Sequence, residues 1–152
     1  VDPFQRQLFD EAGLMILESA GLTGYVSFHP EYSCLVLPEM LKQGRRFDFV
    51  YVDGSHLFED VFVDFYFVTR LLEDAGVVVF DDSSDPHVAK VLRFIRTNYA
   101  SAYEELNLGR YRADRGRSLK YRLARVCGRS QLTAFRRVGE LRWKWNAPLV
   151  DF

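Results

Sequence analysis

Short runs of β-branched and aromatic residues alternate along this chain with longer stretches whose apolar positions recur at helical spacing. Phe4 to Ala20 carries Leu8, Ala12, Met15 and Ile16 near the helical period, and Gly21 marks a stop. Tyr25-Val26-Ser27-Phe28-His29 reads as a short strand. Ser33 can cap a helix running to Gln43 or Gly44. Pro38 is either accommodated inside that helix or starts its regular part. Phe47-Asp48-Phe49-Val50-Tyr51-Val52 is a strand, and Leu57 to Asp74 a long helix. Gly76-Val77-Val78-Val79-Phe80 is the next strand. Ser84 or Asp85 then caps a helix through Asn98, with Val88, Val91, Leu92 and Ile95 apolar. The two central strands are nearly continuous in apolar residues, as strands covered on both faces are. The order helix, strand, helix, strand, helix, strand, helix predicts a doubly wound α/β fold with a mostly parallel sheet.

The pattern weakens after Tyr99. Leu106 to Tyr111 fits a strand, Arg112 to Arg117 a polar loop, and Ser118 to Val126 a short basic helix. Leu132 to Val138 fits a late strand, antiparallel to the others. The long helix 57–74 is apolar on more than one face, through Phe58, Val61, Phe62, Phe65, Tyr66, Val68, Leu71 and Leu72. One face suits the sheet; the other suits a further surface, such as a second subunit in a homo-oligomer.

Composition narrows the class. With 152 residues, 48% hydrophobic and 15% aromatic, the chain suffices for one globular domain with a real core. No apolar stretch is long enough to span a bilayer, and the N-terminus lacks a signal-peptide pattern, so a cytoplasmic location is expected. Cys34 and Cys127 are read as reduced thiols, with one disulfide as the alternative. Charge is asymmetric. Residues 1–108 hold 8 Lys/Arg and 18 Asp/Glu, whereas 109–152 hold 12 and 3. The net charges of −10 and +9 sum to −1. The basic portion is read as a solvated or internally paired surface rather than a nucleic-acid site, because it carries no binding motif. The division is thus a core of residues 1–98 and a basic portion of 99–152 within one domain.

The chemistry sits after the two central strands, in Asp53-Gly54-Ser55-His56 and Asp81-Asp82. Ligands of open α/β sheets bind beyond the carboxyl ends of the strands. If the strands are neighbours, three carboxylates converge there, which favours a cation such as Mg²⁺. A cation lowers the pKa of a bound hydroxyl, and His56 can accept the proton. Taken singly, these residues can equally be turn formers and helix caps; their joint place on one sheet edge favours chemistry. Asp2 is either an Asp-Pro turn residue or an acid that meets a ribose.

The stretch from Phe47 through DGSH, with Asp64 in the helix that follows and then Ala75 to Asp82 as AGVVVFDD, resembles the class I S-adenosylmethionine-dependent methyltransferases. More narrowly, it is similar to the metal-dependent O-methyltransferases of macrolide sugars and related natural products. The likeness covers about residues 1–98. It implies a Rossmann-like fold, with Asp53, Asp81 and Asp82 as metal ligands and His56 as general base. It also implies Asp2 on the cofactor ribose, Ser33 near the adenine, and a small-molecule hydroxyl as acceptor. Glu31 stands where a glycine is common in that family, and residues 141–148 are similar to its closing aromatic-proline segment. The family's first strand and glycine-rich cofactor loop would precede Val1, so the chain is expected to be a fragment of a longer protein, inactive alone. A degenerate paralogue, a non-catalytic Rossmann-like scaffold and another enzyme on the same fold are the alternatives.

Overall fold

The computed structural model describes residues 1–111, 131–141 and 145–152. The expected loop 112–117, the basic helix 118–126 and Cys127 lie outside the described residues. The chain forms two compact units, Val1–Gly44 and Arg45–Phe152.

The first unit is helical. The single helix expected over 4–20 is two, α1 (Gln5–Leu8) and α2 (Ala12–Ser19). Asp10 and Glu11 break it, with φ of 45° and 58° in the left-handed region that opposes helix propagation. The stop at Gly21 is as read: its φ is 68°, and the Leu22 N–H closes back on Leu17 O at 2.9 Å. The strand expected over 25–29 does not form. A 3-10 turn covers Thr23–Tyr25, and no strand among the described residues supplies a ladder for the segment behind it. Asp2 N–H does donate to His29 O at 3.0 Å. The third helix, α3, runs Ser33–Lys42 with Pro38 inside it. Tyr32 occupies the cap position, so Ser33 is the first helical residue instead of the cap.

The second unit carries the sheet. Its elements are β1 (Phe47–Val52), α4 (Phe58–Leu71), β2 (Leu72–Phe80), α5 (Pro86–Asn98), β3 (Tyr103–Glu105) and β4 (Thr133–Arg137). The strand order is β1-β2-β4-β3. β1 and β2 pair parallel, with Val50 opposite Val78 and Val52 opposite Phe80. β4 runs antiparallel to β2 and β3, as expected for the late strand. The fold is mixed α/β and Rossmann-like; its parallel pairing among the described residues is β1 with β2. Instead of a strand at 106–111, β3 ends at Glu105, and a 3-10 turn spans Leu108–Tyr111.

Alternation decides which side chains enter the core. Val52, Val78, Phe80 and Phe135 point to one face, where α4 and α5 cover them. From α4, Val61, Phe65 and Val68 meet that face at helical spacing, and from α5, Val88, Val91, Leu92 and Ile95 do. Phe65 is 1% exposed and Phe80 is fully buried, each worth about 3 kcal/mol relative to exposure. The second apolar side of α4 is used within the unit: Phe58 stacks on Phe62, whose ring lies 4.9 Å from that of Phe94 in α5. The expectation of strands covered on both faces fails for β1. Phe49 is 59% and Tyr51 46% exposed, on the face away from α4 and α5.

β2 begins irregularly. Phe47 pairs with Leu72 and Phe49 with Val77, so Glu73 to Gly76 loop out. A Cβ on Gly76 would lie 2.9 Å from Glu73 O, which is why glycine stands there. The regular ladder therefore starts at Val77, and the helix ends at Leu71, three residues before its expected end.

Candidate active site

The parallel register places the ends of β1 and β2 side by side. Asp81 N–H donates to Val52 O at 3.0 Å, so the two loops start from bonded backbones. After Val52, the loop Asp53-Gly54-Ser55-His56 turns into α4, with Ser55 Oγ accepting the Leu57 N–H at 3.1 Å. After Phe80, Asp81 and Asp82 turn toward α5. Asp82 has φ 45°, a strained conformation for a non-glycine residue. It is held by its own N–H to Asp81 Oδ1 at 2.7 Å and by Asp85 N–H to its carbonyl at 2.7 Å. Asp85 caps α5 by accepting the His87 N–H at 2.8 Å, as read from the sequence. His87 Nδ1 in turn accepts the Phe58 N–H at 3.1 Å, which ties the start of α4 to the start of α5. The loop carrying His56 is thereby fixed against the loop carrying Asp82.

His56 Nε2 lies 2.9 Å from Asp82 Oδ2, and its Nδ1 lies 3.7 Å from Asp85 Oδ2. The first is a close imidazole–carboxylate contact, an ion pair only when the ring is protonated, and the second is a longer one. Two residues that the sequence reading missed complete the cluster. Tyr51 donates its hydroxyl to Asp81 Oδ2. Gln131, just before β4, donates Nε2 to Asp81 Oδ1 at 2.7 Å and also to Asp82 Oδ1. Between the loops is a pit of about 10 Å³, room for about one water, lined by Asp53, His56, Asp81 and Asp82 over Val52, Val61, Phe80 and Val88. An acceptor larger than water would therefore lie over this pit.

The electrostatics follow from this packing. Partial burial, and then the charges of Asp81 and Asp82, raise the Asp53 carboxyl above its ordinary value. Burial also pushes Asp81 up, but hydrogen bonds from Tyr51, the Asp82 N–H and Gln131 outweigh it and hold that carboxyl below its ordinary value. The bond to Asp81, then burial, then the surrounding carboxylate charges push the Tyr51 hydroxyl up to about 12. The backbone N–H of His87 keeps Asp85 low.

The structure thus brings Asp53, His56, Asp81 and Asp82 to one sheet edge of the second unit. Asp2 and Ser33 belong to the first unit. Asp2 forms the turn that opens α1, with its carboxylate accepting the Phe4 N–H and Gln5 Nε2, each at 2.8 Å. Ser33 lies half-buried in the first turn of α3. The expected Mg²⁺ triad is not assembled: among the described residues no group of three His, Cys, Asp or Glu side chains is arranged to hold a metal ion. The reason is local. The oxygens of Asp81 and Asp82 face Tyr51, Gln131, His56 and a backbone N–H. As arranged, these side chains do not form a cation site among the described residues.

Tyr51 had a usable signal, as a phenol one residue from the end of a strand that leads into an acidic loop. Gln131 had none, since its role depends on β4 returning beside β2.

Residues 1–83 match the family model described as a methyltransferase domain. No curated protein matches the chain. Among the described residues, no helix is long and apolar enough to cross a membrane.

Proposed function

This chain belongs to the methyltransferase domain family, and from that premise we propose that it serves methyl transfer from S-adenosylmethionine to a hydroxyl of a small molecule, with His56 as the base. The donor supplies a sulfonium-bound methyl group: the acceptor oxygen forms the new O–C bond as the C–S bond breaks, and S-adenosylhomocysteine leaves. The observation that carries this reading is the 2.9 Å contact between His56 Nε2 and Asp82 Oδ2 at the carboxyl edge of β1 and β2. With Nε2 facing Asp82 across that contact, the ring offers Nδ1 to the acceptor, and that atom takes the acceptor's proton. Asp82 fixes the tautomer and stabilises the imidazolium that results. Asp85, 3.7 Å from Nδ1, lies on the side where the proton arrives. Asp2 is the residue proposed for the donor's ribose, and Ser33 the one proposed near its adenine. No divalent cation enters this reading, because no group of side chains among the described residues is arranged to hold one.

The test is transfer of a labelled methyl group from S-adenosylmethionine to a panel of hydroxyl acceptors, together with calorimetry of S-adenosylhomocysteine binding. Product on a hydroxyl, lost in His56→Ala while S-adenosylhomocysteine still binds, is the expected result. Undiminished turnover in His56→Ala removes the base assignment. No binding and no transfer would return the chain to a scaffold role.

A further inference from the structure

Two adjacent carboxylates repel each other, and a protein that keeps both ionised must place positive charge or donors between them. Here the compensation is internal. Asp81 Oδ1 accepts the Asp82 N–H and Gln131 Nε2, each at 2.7 Å, and Asp81 Oδ2 accepts the Tyr51 hydroxyl. Asp82 Oδ1 accepts the same Gln131 nitrogen, and Asp82 Oδ2 faces His56 Nε2. Three of the four oxygens accept hydrogen bonds, and the fourth faces the imidazole. One amide nitrogen bridges the two Oδ1 atoms, the place where an ion shared by both carboxylates would sit. Gln131 is also fixed through its main chain: its carbonyl accepts the N–H of buried Ser83 at 3.0 Å, and Ser83 Oγ donates to Phe80 O at 3.1 Å. The amide is therefore held by the ends of β2 and β4 together.

We propose that Gln131 is a positioning residue of the methyl-transfer site, whose side-chain amide stands where a divalent cation would stand between Asp81 and Asp82, so that the site works without metal. This rests on the reading of His56 as a base oriented by Asp82. Gln131 clamps Oδ1 of Asp82 and thereby aims Oδ2 at the imidazole. Replacing the amide by a carboxylate of the same shape removes the donor, adds a third oxygen ligand and creates a cation site of a kind not found among the described residues of the wild type.

The experiment is Mn²⁺ titration followed by electron paramagnetic resonance on the wild-type protein, Gln131→Glu and Gln131→Leu, alongside kcat and KM with and without EDTA. The wild type is expected to show no saturable Mn²⁺ binding and the same turnover in chelator. Gln131→Leu should lose about tenfold in kcat, with KM for S-adenosylmethionine unchanged, as expected for a lost hydrogen bond to charged groups. Gln131→Glu should gain saturable Mn²⁺ binding. Stoichiometric Mn²⁺ binding by the wild type that disappears in Asp82→Asn overturns the proposal, as does undiminished kcat in Gln131→Leu. If the protein neither binds S-adenosylhomocysteine nor transfers methyl groups, the proposed function fails, while the Mn²⁺ titration still decides whether the carboxylate pair takes a cation.

Discussion

Replacing Asp82 by asparagine tests the orientation of His56 directly, because the neighbours dictate which way the new amide must face. Gln131 Nε2 is a donor, and it points at Oδ1 of Asp82. In Asp82→Asn the amide oxygen therefore turns to Gln131, and the amide NH₂ turns to His56 Nε2. That nitrogen must then accept, so Nδ1 carries the hydrogen. The atom proposed to take the acceptor's proton becomes a donor. The magnitude follows from the contact. The His56 side chain is 52% exposed and that of Asp82 36%, so the contact is screened by solvent and contributes about 1 kcal/mol or less. That alone is at most about a fivefold loss, and the wrong tautomer extends it to about a hundredfold in kcat. KM for S-adenosylmethionine should hold, since Asp82 is not assigned to donor binding. The assay is a double-mutant cycle on kcat with His56→Ala. If Asp82 acts through His56, then Asp82→Asn costs little once the imidazole is gone, at most about twofold. Equal losses in both backgrounds would refute the orienting role and leave Asp82 acting on the acceptor by itself.

Two further outcomes follow from the same packing. Phe65→Ala removes a ring that is 1% exposed and meets Phe80, Phe94, Tyr99 and Tyr103, so it should cost about 3–5 kcal/mol in urea unfolding; a change under about 1 kcal/mol would mean that this core is not formed. For Tyr51 the folded value of about 12 exceeds the ordinary phenol value of 10.0, so the stability it contributes is fully present below the ordinary value and is lost as pH rises through about 12. A difference spectrum of tyrosinate absorbance between wild type and Tyr51→Phe should show this phenol titrating late, and titration at the ordinary value would mean that the bond to Asp81 is absent.

The parts legible in the sequence were those set by local pattern. The runs Phe47–Val52 and Val77–Phe80 form strands, Asp85 caps α5, and the late segment 133–137 is an antiparallel strand. Each rests on residues close to one another in the chain. The errors came where a neighbour decides. Tyr25–His29 has strand composition but no ladder among the described residues, and composition alone does not make a strand. The left-handed pair Asp10-Glu11 interrupts a helical period that spacing alone carries straight through. The site divides in the same way. DGSH and DD were visible because strand-end position places them on one edge, but spacing says where a carboxylate starts from and nothing of what its oxygens meet. Acidic residues that converge in sequence logic suggest a cation because like charges need an opposite one. β4 answers that need differently, by bringing an amide from fifty residues away. The inference from carboxylates to metal therefore has to count the donors of the chain that reach them, and at Asp81 and Asp82 the Tyr51 hydroxyl and the Gln131 amide both do.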